Sequence, residues 1–149
     1  MAEESNLEEM HALANSVRRV YNRLRHSTDV LHGETGVSAP KRTLLMDLQR
    51  YGAQTVPALA ASRFISRQII QTQVNELTQA GYTEARENPE HKRSSLIALT
   101  ASGRKFVQEM VARENAFIEQ VGWLPEAEAL ANCRQVLDEI YDKLEAAGK

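Results

Sequence analysis

At Gly81 the apolar residues of this chain change their period, and the change narrows the admissible folds more than any other property of the sequence. Before the glycine, Ile69, Ile70, Val74 and Leu77 recur at three- and four-residue steps, the spacing of one helix face. Ser66 is placed to cap that helix and Gly81 to stop it. After the glycine the pattern is strand, turn, strand: Tyr82 to Glu87 as one arm, Asn88-Pro89-Glu90-His91-Lys92-Arg93 as a polar tip, and Ser95 to Leu99 as the returning arm. Just upstream, Thr55 can cap a short helix, Val56 to Ala61, with Val56, Leu59 and Ala60 pointing inward, and a tight turn joins it to the next helix.

The flanks are helical. From Leu7 to Leu24 the residues Leu7, Met10, Leu13, Val17, Val20, Tyr21 and Leu24 form one apolar stripe, opposite a face carrying Arg18, Arg19, Arg23 and Arg25. Ser27 to Gly36 reads as a loop, and Ser38 as the cap of a helix with Pro40 in its first turn, Gly52 past its end and Leu44, Leu45, Leu48 and Tyr51 on its core face. Thr100 caps a long helix through Phe106, Val107, Met110, Val111, Phe117, Ile118 and Val121, which Gly122 and Pro125 end. A last helix, from about Glu126 to Ala147, carries the seam Leu130, Cys133, Leu137, Ile140, Leu144 at coiled-coil spacing. The order predicts a mainly α fold with a small β-hairpin wing, a winged helix-turn-helix over residues 38–103, and a helical dimerisation region made of residues 1–37 and 104–149. The terminal stripes offer more apolar surface than the small middle can cover, so a homodimer is expected.

The chemistry lies on the helix after Ser66. Its outer face is Arg67, Gln68, Gln71, Thr72 and Asn75, donors and acceptors rather than the Glu/Lys lattice of a merely solvated helix. The major groove of double-stranded DNA admits a helix, and its base edges need such groups: arginine for guanine, glutamine or asparagine for adenine. Lys92 and Arg93 at the hairpin tip are placed to reach the minor groove or phosphates, and Ser66 and Arg86 complete the expected DNA-binding set. Charge agrees: residues 38–103 hold eight basic residues against five acidic ones, a surplus of three, so the whole-chain charge of −2 leaves −5 on the flanks.

Other classes fit less well. No glycine-rich phosphate loop, nucleophile elbow or carboxylate pair suggests an enzyme, and no cofactor is implied. His11, His26, His32 and His91 lack close ligand spacing, so no metal site is expected. The single cysteine, Cys133, cannot form an internal disulfide and on its apolar seam should be a buried, inert thiol; with no secretory signal pattern and no membrane-length apolar run, the expectation is a cytoplasmic protein without a membrane partner. The rival reading is a winged-helix protein-interaction module that binds no DNA.

The run Leu59-Ala60-Ala61-Ser62-Arg63-Phe64-Ile65-Ser66-Arg67-Gln68, then Val74, Leu77 and Ala80-Gly81-Tyr82, then Asn88-Pro89-Glu90-His91-Lys92-Arg93-Ser94 and Leu99-Thr100-Ala101-Ser102-Gly103, resembles the MarR family of bacterial regulators. The resemblance implies a symmetric dimer that sets two recognition helices on a pseudo-palindromic operator, usually as a repressor, and in many relatives a small amphipathic effector or an oxidised cysteine releases the DNA. Two positions differ from the family pattern. Phe64 stands where glycine is frequent, so a positive backbone angle would be uncommon there, and His91 stands where an aspartate commonly braces the arginine two residues on, here Arg93.

Overall fold

The computed structural model describes residues 2–148, in which six helices and three short strands alternate. In chain order they are α1 (Ala2–His32), a 3₁₀ turn (Gly33–Thr35), α2 (Ala39–Tyr51), β1 (Gln54–Thr55), α3 (Val56–Ser62), α4 (Arg67–Gln79), β2 (Thr83–Arg86), β3 (Leu96–Leu99), α5 (Ala101–Val121) and α6 (Ala127–Ala147). The winged helix-turn-helix architecture is present, with α3 and α4 as the helix pair and β2 and β3 as the wing. Residues up to Glu114 form one compact unit, and those from Asn115 onward form another.

The first unit is built around a single apolar cluster. Leu44, Leu45 and Leu48 of α2, Leu59 and Ala60 of α3, Ile70, Val74 and Leu77 of α4, Ile97 and Leu99 of β3, and Val107 and Met110 of α5 are all buried in it. Burial of each large aliphatic side chain contributes about 1.5–3 kcal/mol, enough to hold short helices that would be marginal alone. Local chemistry sets the ends. The Thr55 hydroxyl accepts the Ala58 N–H at 3.3 Å and the Ser66 hydroxyl accepts the Ile69 N–H at 3.3 Å, so both members of the helix pair start on side-chain caps. Ser38 sits at the α2 N-cap with extended backbone but its side chain makes no capping bond.

Four local expectations are corrected. Ser27 to Gly36 is mostly helix: α1 continues to His32 because side chains tether its last turns, with Thr28 donating to the Arg25 carbonyl at 3.0 Å, Asp29 paired with buried Arg42 at 2.6 Å, and buried His32 bonded to Glu114 at 3.0 Å. Tyr51 is outside rather than in the core, 67% exposed, with the Arg50 guanidinium 5.6 Å from its ring centre. Ile69 is also outside, since the buried stripe of α4 runs through Ile70, Val74 and Leu77. Cys133 is exposed on α6 rather than buried.

The sheet holds one strand more than the hairpin. β3 is central, pairing antiparallel with β2 in the register Thr83↔Leu99 to Arg86↔Leu96 and with β1 in the register Gln54↔Ile97 and Thr55↔Leu96. In the second unit α6 has no buried residue, and Leu130, Val136, Leu137, Tyr141 and Leu144 all stand in the open on this chain. The apolar stripe of α1 is likewise uncovered, with Leu7, Val20, Tyr21 and Leu24 each more than half exposed. No helix among the described residues is long and apolar enough to cross a membrane.

Candidate nucleic-acid interface

Burying Ile70, Val74 and Leu77 turns the opposite side of α4 outward, and Arg67, Gln68, Gln71, Thr72 and Asn75 are all exposed there. Two of these side chains are already engaged with each other: the Gln71 amide donates to Asn75 Oδ1 at 2.8 Å, leaving Gln71 Oε1 and the Asn75 amide free to turn toward a ligand. Thr72 bonds back to the Gln68 carbonyl at 3.0 Å. Glu76, the single acid on this helix, is held by Lys41 of α2 at the side, which removes its charge from the face around Arg67.

The wing completes the surface. Arg93 returns toward α4 and lines, with Arg67, Gln68 and Gln71, one open groove of about 560 Å³ whose floor includes Pro57 and Ser95. Lys92 and Arg86 lie together on a separate concavity at the loop end of the wing, beside Asn88. Arg86 is partly neutralised, because its Nε and Nη2 both donate to Glu84 at 2.9 and 2.6 Å. The structure thus gathers Arg67, Gln68, Gln71 and Arg93 into one site, sets Lys92 and Arg86 beside it, and leaves Thr72 and Asn75 further along the helix.

The turn that aims α4 is anchored to α2. Arg63 donates to the Pro40 carbonyl at 3.3 Å and faces Asp47 at 3.5 Å. Partial burial pushes the Asp47 carboxyl above its ordinary pKa of 3.8, against the opposing pull of Arg63 and Arg50. The next residue, Phe64, has φ of 52°, the left-handed conformation that costs an L-residue steric strain, and its ring is 84% exposed.

No family model matches the chain. An uncharacterized protein of Mycobacterium bovis, Mb2034c, is 32% identical over 106 residues, which cover 71% of this chain and 73% of that protein. Among solved structures, the MarR family transcription regulator SP03579 is similar over 98% of this chain and 99% of its own, with a TM-score of 0.73 at 24% identity. A MarR family transcriptional regulator from Silicibacter pomeroyi is similar over 88% of both chains, with a TM-score of 0.79 at 23% identity. The chain shares its fold with these MarR family regulators.

Against the MarR pattern, both unusual positions now have a structural account. Phe64 takes the left-handed angle that glycine would take, so the turn keeps its shape at the expense of strain. At the wing, the Asn88 side chain accepts the Glu90 N–H at 3.1 Å and donates to the Ser94 carbonyl at 2.9 Å, while the His91 carbonyl accepts the Ser94 N–H at 3.0 Å, so the loop is closed on both sides of Arg93. Residues that sequence reasoning missed are Pro57 and Ser95 in the groove and Arg63 and Asn88 behind it. The asparagine was legible, since Asn-Pro opening a polar tip is an Asx-turn signal; the groove residues were not, because they meet only through folding.

Proposed function

We propose that this protein is a sequence-specific double-stranded-DNA-binding transcriptional regulator acting as a homodimer, with Ser66, Arg67, Gln68, Gln71, Thr72 and Asn75 of α4 in the major groove and Arg86, Lys92 and Arg93 of the wing on the adjacent backbone or minor groove. The observation that carries the reading is the shared groove of Arg67, Gln68, Gln71 and Arg93: a capped, exposed helix end bearing donors and acceptors, flanked by a wing arginine and freed of acid because Glu76 is held by Lys41. Helix-groove geometry favours this use, because the N-terminal residues of such a helix meet base edges while phosphates bind the flanking cations.

The uncovered stripes of α1 and α6 support the homodimer, with residues 1–37 and 104–149 as its dimerisation region. A two-fold dimer sets its reading helices about 34–36 Å apart on a pseudo-palindromic operator. By family resemblance we further propose that it represses from the cytoplasm and that a small amphipathic effector releases it.

Selection of bound duplexes from a random pool tests the reading. The expected result is a two-fold symmetric consensus with half-site centres about 10–10.5 base pairs apart, and binding that weakens steeply with salt. On that consensus, Arg67→Ala should relax preference at one base position and Lys92→Ala should weaken all duplexes evenly. A winged-helix protein-interaction module would enrich no sequence and leave random duplex unshifted even at low salt.

A further inference from the structure

Phe64 is the place where this chain departs furthest from what its own fold requires. The turn between α3 and α4 needs a left-handed residue, and any glycine or asparagine would supply it without a strained aromatic backbone. The ring gives folding nothing in return: it is 84% exposed, and the described ring contacts pair Tyr82 with Phe106 and Arg50 with Tyr51, leaving Phe64 out. Strain of this kind without a compensating contact within the chain points to a contact made outside it.

Its position selects the partner. Phe64 lies two residues before Ser66, the N-cap of α4, so its Cα is within about 7.6 Å of the helix end. Ile69, three residues past the cap, adds a second apolar side chain at the same end, 51% exposed although its spacing predicts burial. The leading edge of α4 therefore joins apolar surface to the polar set of Arg67 and Gln68. The major groove offers one apolar group to match it, the thymine 5-methyl.

We infer that Phe64, at the end of α4 that also carries the exposed Ile69, reads a thymine methyl group at the edge of the major groove and is a specificity-determining residue of the interface. The inference rests on the DNA-binding reading above. Its test starts from the selected operator and replaces each thymine in turn with deoxyuridine, which removes the methyl and keeps base pairing. Wild-type protein should lose about 5- to 10-fold in affinity at one thymine per half-site, within the range of a good base contact. Phe64→Gly and Phe64→Asn, both suited to the turn, should lose a similar factor on the thymine operator and respond no further to deoxyuridine at that position.

Both variants should also unfold at an equal or higher urea midpoint, since the strain is relieved. Variants that bind the thymine operator as wild type does, or that keep the full deoxyuridine penalty at every site, would overturn the inference, and a lowered midpoint would overturn its premise of strain. If wild-type protein selects no duplex, the DNA-binding reading has failed first and this inference falls with it, an outcome plainly different from a methyl-blind operator complex.

Discussion

Gly103 offers the sharpest test of how the wing is seated. It lies in the first turn of α5, buried, and a Cβ built on it would stand 2.0 Å from the Tyr82 carbonyl oxygen, 3.0 Å from the Tyr82 carbonyl carbon and 3.2 Å from Leu99 Cδ2. In Gly103→Ala the helix and the start of β2 must separate by roughly 1 Å, and the obstructing atom is backbone, with no rotamer to escape into. That same carbonyl accepts the Thr100 N–H at 3.0 Å, while the Thr100 hydroxyl donates to the Gly81 carbonyl at 2.6 Å and accepts the Gly103 N–H at 3.0 Å. Overpacking costs about 1–3 kcal/mol and a disrupted hydrogen bond about 1 kcal/mol, offset by about 1 kcal/mol of better helix propensity in alanine. The net expectation is a loss of about 2 kcal/mol, which at a typical urea slope lowers the unfolding midpoint by about 1 M. Urea titration followed by far-ultraviolet circular dichroism, at fixed protein concentration, measures it. A midpoint within about 0.2 M of wild type at unchanged slope would refute the close approach of α5 to β2.

Other perturbations probe separate joints. His32 is buried with its Nε2 on Glu114 at 3.0 Å, so His32→Ala should cost about 2–4 kcal/mol by leaving a cavity and an unpaired carboxylate, whereas Glu114→Gln, which still accepts a hydrogen bond, should cost clearly less; thermal denaturation compares them. Asp47 holds its proton more tightly in the folded chain than unfolded, so its stabilising contribution is full below pH 3.8 and is lost as pH rises through its raised native pKa. The stability of wild type relative to Asp47→Asn should accordingly be greater near pH 3.5 than at pH 7 in urea titrations, and no change between the two would remove the desolvation account. Leu137→Asp with Leu144→Asp, on the uncovered face of α6, should give a monomer by sedimentation and abolish operator binding; a monomer that still binds with full affinity would break the coupling of the two.

The fold was readable wherever periodicity and caps coincide. Thr55 and Ser66 mark their helix starts in sequence and in space because a hydroxyl at an N-cap acts on a donor three residues away. Gly52, Gly81 and Gly122 end elements with positive φ as their positions suggest. What escaped depends on distant partners. The last turns of α1 look like loop because Ser27, Thr28 and Asp29 are poor helix formers, and the distant partners Arg42 and Glu114 help the helix hold there. Two-residue β1 has no period to detect, being defined by β3 some forty residues later. Of the candidate site, the polar face of α4 was legible from residue type, while the meeting of Arg93 with Arg67 and the engagement of Arg86 by Glu84 required coordinates.

Thr55 serves two masters. Its backbone pairs across from Leu96 in the sheet, and its hydroxyl starts α3, so a rivet one residue long joins the wing to the helix pair. Lengthening the tip between Pro89 and Arg93 leaves that rivet alone, and grafted wings of other lengths should be accepted there. A single residue inserted between Thr55 and Val56 would instead force a choice between the sheet register and the helix start, uncoupling the two halves of the reading head at their seam.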